Sequence, residues 1–249
     1  MLKLGCVPYM NALPLTYSLD PKEVELIHRP PAQLLDLLKA GQVEAALLPI
    51  VNYFENPDLY LIKNLAIACR GPVKSVRLYF DGDLKQIKTI YLDPESRTSH
   101  ALLQVLLHYK YGINLQRIQF TSDLSDLSDS SEAKLLIGDK TFQEKGASLD
   151  LGEEWWTWQQ KSFVFAAWMT LQAHHPSLLQ ILQESKDKGL QNIDKIIGKI
   201  PPFPFLKEYF TKNIHYTMEA PELDGIRLFY ELLKPIQGYT HELDFKFVS

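Results

Sequence analysis

The chain has 249 residues, enough for one large domain or two modest ones, and its 46% hydrophobic and 22% charged residues are ordinary for a soluble globular protein. The net charge is −4 and the Lys and Arg residues are scattered. This argues against nucleic acid as a partner, because phosphate neutralisation needs clustered basic residues. No apolar run reaches the roughly 18 residues of a membrane span, so no membrane partner is expected.

The cysteines and the N-terminus predict a cytoplasmic protein. Cys6 and Cys69 are the only cysteines, and both sit in apolar runs, so we expect buried free thiols and no disulfide. The N-terminus enters a strand pattern at once, without the features of a signal peptide. No His, Cys or Asp cluster has metal-ligand spacing, and we expect no metal.

The first part of the chain alternates apolar runs of strand length with a helical pattern. Strands are predicted at residues 2–7, 24–28 and 43–48, and a helix at 31–40. The helix starts at a Pro pair and ends before Gly41, as helices commonly do. A helix between consecutive strands is typical of a parallel crossover, so the pattern predicts an α/β protein.

A second strand–helix series follows, and the C-terminal part reads as helical. Extended segments are predicted at 74–80, 89–92, 117–121, 135–139 and 162–169, an exposed loop at 122–131, and helices at 100–111, 179–188, 191–199, 205–212 and 222–233.

Two extended segments, residues 75–80 and 163–169, stand outside this alternation and flank the middle αβ unit. Two crossing strands of this kind are what a chain needs to enter a second lobe and return. We therefore predict a two-lobed α/β protein with residues 1–76 plus 168–249 in lobe one and residues 77–167 in lobe two. The cleft between the lobes is the expected ligand site, because domain interfaces commonly bind ligands.

Several polar residues follow predicted strands, at the edge where open α/β sheets bind ligands. Asn11 follows the first strand, and its amide suits either a carboxylate or hydroxyl ligand or the capping of a turn. Thr98 and Ser99 lie just before a predicted helix, whose free backbone amides favour an anion, and Arg97 adds a guanidinium for a carboxylate. Plain helix capping is the alternative for Thr98 and Ser99.

Two more polar residues lie next to predicted strands: Ser75 at the start of one and Asp139 at the end of another. Ser75 would face the mouth of the cleft, or it would be an exposed hydroxyl at a strand edge. Asp139, after Gly138, is expected mainly to cap the next helix. Gly-x-Gly-x-x-Gly, Walker and Gly-x-Ser-x-Gly motifs are missing, which argues against a nucleotide enzyme and a serine hydrolase. These residues fit a small organic anion bound in a cleft.

Six segments, in a fixed order over about residues 4–170, carry a resemblance to a known family. They are residues 5–15 (GCVPYMNALPL), 45–49 (AALLP), 71–76 (GPVKSV), 96–99 (SRTS), 136–139 (LIGD) and 150–158 (DLGEEWWTW), the last followed by 163–168 (FVFAAW). Together they resemble the chorismate dehydratases of the futalosine route to menaquinone. The C-terminal helices match less well.

The resemblance implies a type II periplasmic-binding-protein-like fold and the elimination of water from chorismate to give 3-[(1-carboxyvinyl)oxy]benzoate. By position, Asn11 and Ser75 match the family's catalytic residues that contact the substrate, and Thr98 and Ser99 match its anion-binding loop. The remaining predicted substrate-binding residues are Tyr9, Arg97, Gly138 and Asp139. Aromatisation drives this reaction, so no cofactor is expected.

Two alternatives remain at this point. One is a non-catalytic small-anion-binding protein of the same fold, which the missing signal-peptide pattern disfavours. The other is the sister enzyme 1,4-dihydroxy-6-naphthoate synthase, which the segment 8–12 (PYMNA) disfavours.

The predicted cleft residues do not include a general base. By sequence, His28 and His100 are the nearest titratable candidates, and His100 should point along its helix. We therefore expect the carboxylate on the enolpyruvyl arm of chorismate to take the C3 proton, with Asn11 and Ser75 holding that arm and the amides of Thr98 and Ser99 binding the ring carboxylate.

Overall fold

A computed structural model describes residues 1–95, 97–122, 127 and 129–249. Ser96 and half of the predicted loop at 122–131 therefore lie outside the described residues. The strands are β1 (Leu2–Cys6), β2 (Val24–His28), β3 (Ala45–Pro49), β4 (Tyr60–Cys69), β5 (Val76–Phe80), β6 (Thr89–Leu92), β7 (Gln119–Thr121), β8 (Glu132–Ile137), β9 (Ser148–Asp150) and β10 (Phe163–Thr170).

The helices lie between the strands and after β10. They are α1 (Leu13–Thr16), α2 (Pro31–Lys39), α3 (Ile50–Glu55), α4 (Arg97–Val105), α5 (Leu151–Gln159), α6 (Pro176–Gln191), α7 (Ile193–Ile197), α8 (Leu206–Glu208) and α9 (Ala220–Gln237). Two π-helical turns, Leu106–Lys110 and Tyr209–Asn213, follow α4 and α8. Within the described ranges, no helix is long and apolar enough to cross a membrane.

The strands form two separate mixed sheets. The first sheet has the order β2-β1-β3-β10-β4, with β1 parallel to β2 and β3, and β10 antiparallel to β3 and β4. The second has the order β7-β6-β8-β5-β9, with β6 parallel to β7 and β8, and β5 antiparallel to β8 and β9. We call the parts of the molecule built on them the first and second lobes. The predicted residue boundaries of the lobes stay a prediction.

The chain passes between the sheets slightly earlier than the sequence suggested. β5 pairs only within the second sheet, and β10 pairs only within the first, where Phe163 lies opposite Cys69 at the end of β4. The outward passage is therefore made by residues 70–75, and the return by α5 and the residues up to Ser162. Ser75 is the last residue before β5, so it belongs to the outward passage.

The buried carboxylate of Asp150 links the outward and return passages through hydrogen bonds. Asp150, at the N-cap of α5, accepts hydrogen bonds from the backbone of Val73 at 2.9 Å and Lys74 at 2.7 Å. It also accepts from the first-turn amides of Gly152 and Glu153, both at 3.1 Å. One side chain thus caps α5 and fixes the backbone that leads into Ser75.

Aromatic packing surrounds the return passage. Trp155 of α5 is fully buried, and its ring meets Phe163 edge-on with the centroids 5.3 Å apart and Phe229 of α9 with the centroids 6.0 Å apart. Edge-to-face pairs of this kind add stability beyond the area that they bury. Cys6 and Cys69 are both buried and free, as the sequence predicted.

Candidate functional site

A cavity lies between the two lobes, at the carboxyl ends of the parallel strands β1, β3, β6 and β8. It encloses about 620 Å³ of empty space, part of which is open to solvent. Seven of the eight predicted site residues line it, and these are Tyr9, Asn11, Ser75, Arg97, Thr98, Ser99 and Gly138. The structure thus brings together residues that are up to 129 positions apart in sequence; their roles stay a prediction.

The walls of the cavity are mostly apolar. Leu47 and Phe165 come from the first sheet, and Val76 and Ile137 come from the second. Apolar walls exclude water, so each polar group that faces the cavity exerts a stronger electrostatic effect than it would in solution.

Ser75 is almost fully buried, with 2% of its surface exposed, and this excludes the interpretation as an exposed strand-edge hydroxyl. Its Oγ accepts a hydrogen bond from the hydroxyl of Tyr209 at 2.9 Å. Its distance to the carbonyl oxygen of Val73 is 3.4 Å, which is long for a hydroxyl donor. Burial raises the pKa of Tyr209, so this phenol keeps its proton.

Asn11 lies in a turn of 3₁₀ helix, Met10–Ala12, directly after β1. Its side chain caps neither this turn nor α1, so the capping interpretation is wrong. The amide lies beside the hydroxyl of Tyr209 and lowers the pKa of that phenol, against the larger effect of burial, while Oδ1 is buried and has no partner among the residues that the structure describes. Asn11 and Ser75 therefore meet at one tyrosine, which the sequence did not single out.

Thr98 and Ser99 lie in the first turn of α4 and are 4% and 5% exposed. The hydroxyl oxygen of Thr98 is buried and lacks a hydrogen-bond partner in the described parts of the chain. Helix N-termini carry partial positive charge and free amides, so an anion in the cavity would be stabilised here.

Tyr9 and Glu95 meet across the cavity. Tyr9 follows β1 in the first lobe, Glu95 follows β6 in the second, and the Tyr9 hydroxyl donates a hydrogen bond to Glu95 Oε2. Burial and the neighbouring carboxylate of Glu95 raise the pKa of Tyr9, so its hydroxyl stays protonated. Glu95 was not predicted, and it corrects the expectation that the cleft holds no protein group able to act as a base. Its position, two residues before Arg97, was the available signal.

Arg97 also joins the lobes. Its guanidinium donates to Asn52 Oδ1 at 2.7 Å and to the two carboxylate oxygens of Glu55 at 2.9 and 2.6 Å. Asn52 and Glu55 belong to α3 of the first lobe. The guanidinium is therefore engaged by the protein itself, and its predicted contact with a substrate stays a prediction.

Gly138 and Asp139 lie at the end of β8, against the residues that follow β1. Gly138 has φ +63°, which strains any other residue, and a Cβ there would sit 3.2 Å from the ring of Tyr9, a tight contact. The prediction that Asp139 caps the next helix is wrong, because it makes no side-chain cap. Its two oxygens instead lie 3.4 Å from the backbone nitrogen of Met10, and burial raises its pKa.

The two histidines considered as bases lie elsewhere. His28 is exposed at the end of β2, and His100 packs its ring on Phe120 with the centroids 5.0 Å apart. Neither lines the cavity described above. Burial lowers the pKa of His100, which keeps the ring neutral.

Two mixed sheets with a cavity between them are typical of periplasmic-binding-protein-like folds, and this protein has such a fold. A Candida albicans protein, CA3427, described as having the generic periplasmic binding protein structural fold, matches with a TM-score of 0.61 and 14% identity, over 98% of this chain and 92% of that chain. Protein AF1704 from Archaeoglobus fulgidus matches with a TM-score of 0.73 and 13% identity, over 95% and 97% of the two chains.

Sequence comparison then gives the family. Residues 2–235 match the family model for menaquinone biosynthesis, and the chain belongs to that family. A chorismate dehydratase from Thermus thermophilus is 28% identical over 257 residues, covering 92% of this chain and 94% of that protein. The predicted fold class and the predicted family are thereby confirmed.

Proposed function

We propose that the protein is a chorismate dehydratase, a carbon–oxygen lyase that forms 3-[(1-carboxyvinyl)oxy]benzoate in the cytoplasm, with chorismate as its small-molecule partner. The observation that carries the proposal is the largely apolar cavity, which is lined by the buried Ser75, the half-buried Asn11 and the start of α4. The similarity to the Thermus thermophilus enzyme over nearly the whole of both chains supports the same activity.

The reaction breaks the C3–H and C4–O bonds of chorismate, and the ring becomes aromatic. In our scheme the amides and hydroxyls of Thr98 and Ser99 bind the ring carboxylate, and Ser75 donates a hydrogen bond to the carboxylate of the enolpyruvyl arm. That carboxylate takes the C3 proton, and the C4 hydroxyl leaves, so that water is the net product. Binding holds this carboxylate beside the C3 proton, so the orientation entropy is lost before the chemical step. This can lower the activation free energy by several kcal/mol.

Incubation of pure protein with chorismate, followed by mass spectrometry and ultraviolet detection of an aromatic product, tests the activity directly. We expect one new product, lighter than chorismate by one water. Chorismate recovered unchanged after long incubation, with binding seen by calorimetry, would instead favour a non-catalytic anion-binding protein.

The scheme predicts that no single protein base is essential. Glu95→Gln, His28→Ala and His100→Ala should each keep turnover within about tenfold of the parent, less than the loss typical of an essential general base. Steady-state kinetics with chorismate would measure this. Abolished turnover in any one variant, with chorismate binding intact, would show that a protein group takes the proton and that the substrate-assisted scheme is wrong.

We also expect activity without a metal. The elimination is redox-neutral and is driven by aromatisation, so protein treated with a chelator and then desalted should turn over chorismate at the untreated rate. Loss of activity that returns only when a divalent metal is added back would contradict the scheme.

A further inference from the structure

Tyr209 lies outside the segments that follow the strands, yet its hydroxyl contacts Ser75, which lines the cavity. It begins the π-helical turn Tyr209–Asn213 and is 1% exposed. The same turn holds the outward passage at a second point, because Asn213 donates from Nδ2 to the carbonyl of Pro72 at 2.9 Å. The turn is thus docked on the short segment that ends in Ser75, and π turns often occur at functional sites.

The hydroxyl of Tyr209 determines whether the hydroxyl of Ser75 acts as a donor or as an acceptor toward a ligand. A phenol has one proton, and Tyr209 gives it to Ser75 Oγ at 2.9 Å. Ser75 must then direct its own proton to another acceptor, and the carbonyl of Val73, at 3.4 Å, is a poor one. A ligand acceptor in the cavity would be a better partner, and a hydroxyl that already accepts a hydrogen bond is a stronger donor.

The same hydroxyl orients Asn11. The amide group of Asn11 lies beside the Tyr209 hydroxyl, and its carbonyl oxygen Oδ1 is buried without a partner in the described ranges. A buried amide oxygen left without a donor costs free energy, which a bound donor would recover. Asn11 therefore offers the cavity an acceptor, and Ser75 offers it a donor.

We propose that Tyr209 is a positioning residue that acts through Ser75 and Asn11, fixing the first as the donor and the second as the acceptor for chorismate; this rests on the proposed function. The assignment fits the groups of that substrate. Its two carboxylates are acceptors and suit Ser75, while its C4 hydroxyl is the one donor and suits Asn11 Oδ1. Asn11 then holds the leaving group, and not the enolpyruvyl carboxylate that the sequence suggested.

Tyr209→Phe removes only the hydroxyl, and Tyr216→Phe is the matched control. Tyr216 is also buried, at 2% exposed, and its hydroxyl has no hydrogen-bond partner among the described residues. We expect Tyr209→Phe to lower kcat by about tenfold, the effect of roughly one hydrogen bond, and Tyr216→Phe to leave it unchanged. Melting temperatures of the two variants report any difference in folding, and a fluorinated tyrosine at position 209, which keeps the hydroxyl, should keep kcat near that of the parent.

A double-mutant cycle separates positioning from simple packing. In a Ser75→Ala background, Tyr209→Phe should cause a smaller further loss of kcat than in the parent, because the hydroxyl has lost one of the two groups through which it acts. An equal loss in both backgrounds, or no loss in the Tyr209→Phe single variant, would overturn the inference while the parent remains an active dehydratase. A parent protein that does not turn over chorismate would overturn the proposed function and the inference with it.

Discussion

Ser75→Ala should lower the turnover of chorismate by roughly 100-fold or more, and Asn11→Ala should have an effect of similar size. Both side chains lie in a largely apolar cavity, and Ser75 is 2% exposed, so water cannot take over their hydrogen bonds at low cost. The loss should fall mainly on kcat, because in the proposed scheme these groups hold the reacting part of the substrate. Steady-state kinetics with detection of the aromatic product would measure it.

Ser185→Ala is the matched control for this prediction. Ser185 is also 2% exposed and donates to the carbonyl of Leu15 at 2.9 Å, on a helix that does not line the cavity. Its removal should leave turnover unchanged even if stability falls. Turnover in Ser75→Ala within threefold of the parent, on the order of half a kcal/mol in activation free energy, would contradict the assignment of Ser75.

Asp150→Ala should lower the free energy of unfolding by about 3–4 kcal/mol, the largest single effect that we expect on stability. The carboxylate accepts four backbone hydrogen bonds, from Val73, Lys74, Gly152 and Glu153, and it is 4% exposed. Without it, these buried or half-buried donors lose their partner, and the cap of α5 is lost as well. Urea titration followed by circular dichroism would measure the change.

Asp83→Ala is the control for this effect. Asp83 also caps a turn, accepting from the Lys85 nitrogen at 2.9 Å, but it is exposed. Water can therefore replace the lost acceptor, and the change in unfolding free energy should be much smaller. Equal effects of the two substitutions would show that Asp150 is no more than an ordinary helix cap.

The sequence predicts much of the sheet framework, because the signals are local. β2 and β6 have the predicted bounds, and the first-lobe helix α2 begins at Pro31 as expected. β4 was missed because its apolar pattern is interrupted at Lys63 and Asn64, where Asn64 adopts φ 63° and the pairing with β10 shifts register. A strand that contains such an irregularity does not show a simple alternation.

Only part of the candidate site can be predicted from the sequence. Residues directly after strands, such as Asn11 and Thr98, can be found because strand ends converge at one edge of each sheet. Tyr209 cannot be found in this way, since it contacts Ser75 from a helical segment more than 130 residues further along the chain. The helix predicted at 205–212 is also one turn followed by a π turn. Asp139 looked like a helix cap because its contact, the backbone of Met10, lies in the other lobe.

Glu55 and Glu95 already occupy two hydrogen-bond donors of the cavity lining, on Arg97 and Tyr9. Glu55 holds the guanidinium of Arg97, and Glu95 holds the hydroxyl of Tyr9. Because both carboxylates are tethered, their effective concentration at these donors is high, and an entering carboxylate that takes either donor has to displace one of them. The Kd of such a ligand therefore reflects the free energy of its own contacts minus that of the Glu55 or Glu95 contacts that it displaces.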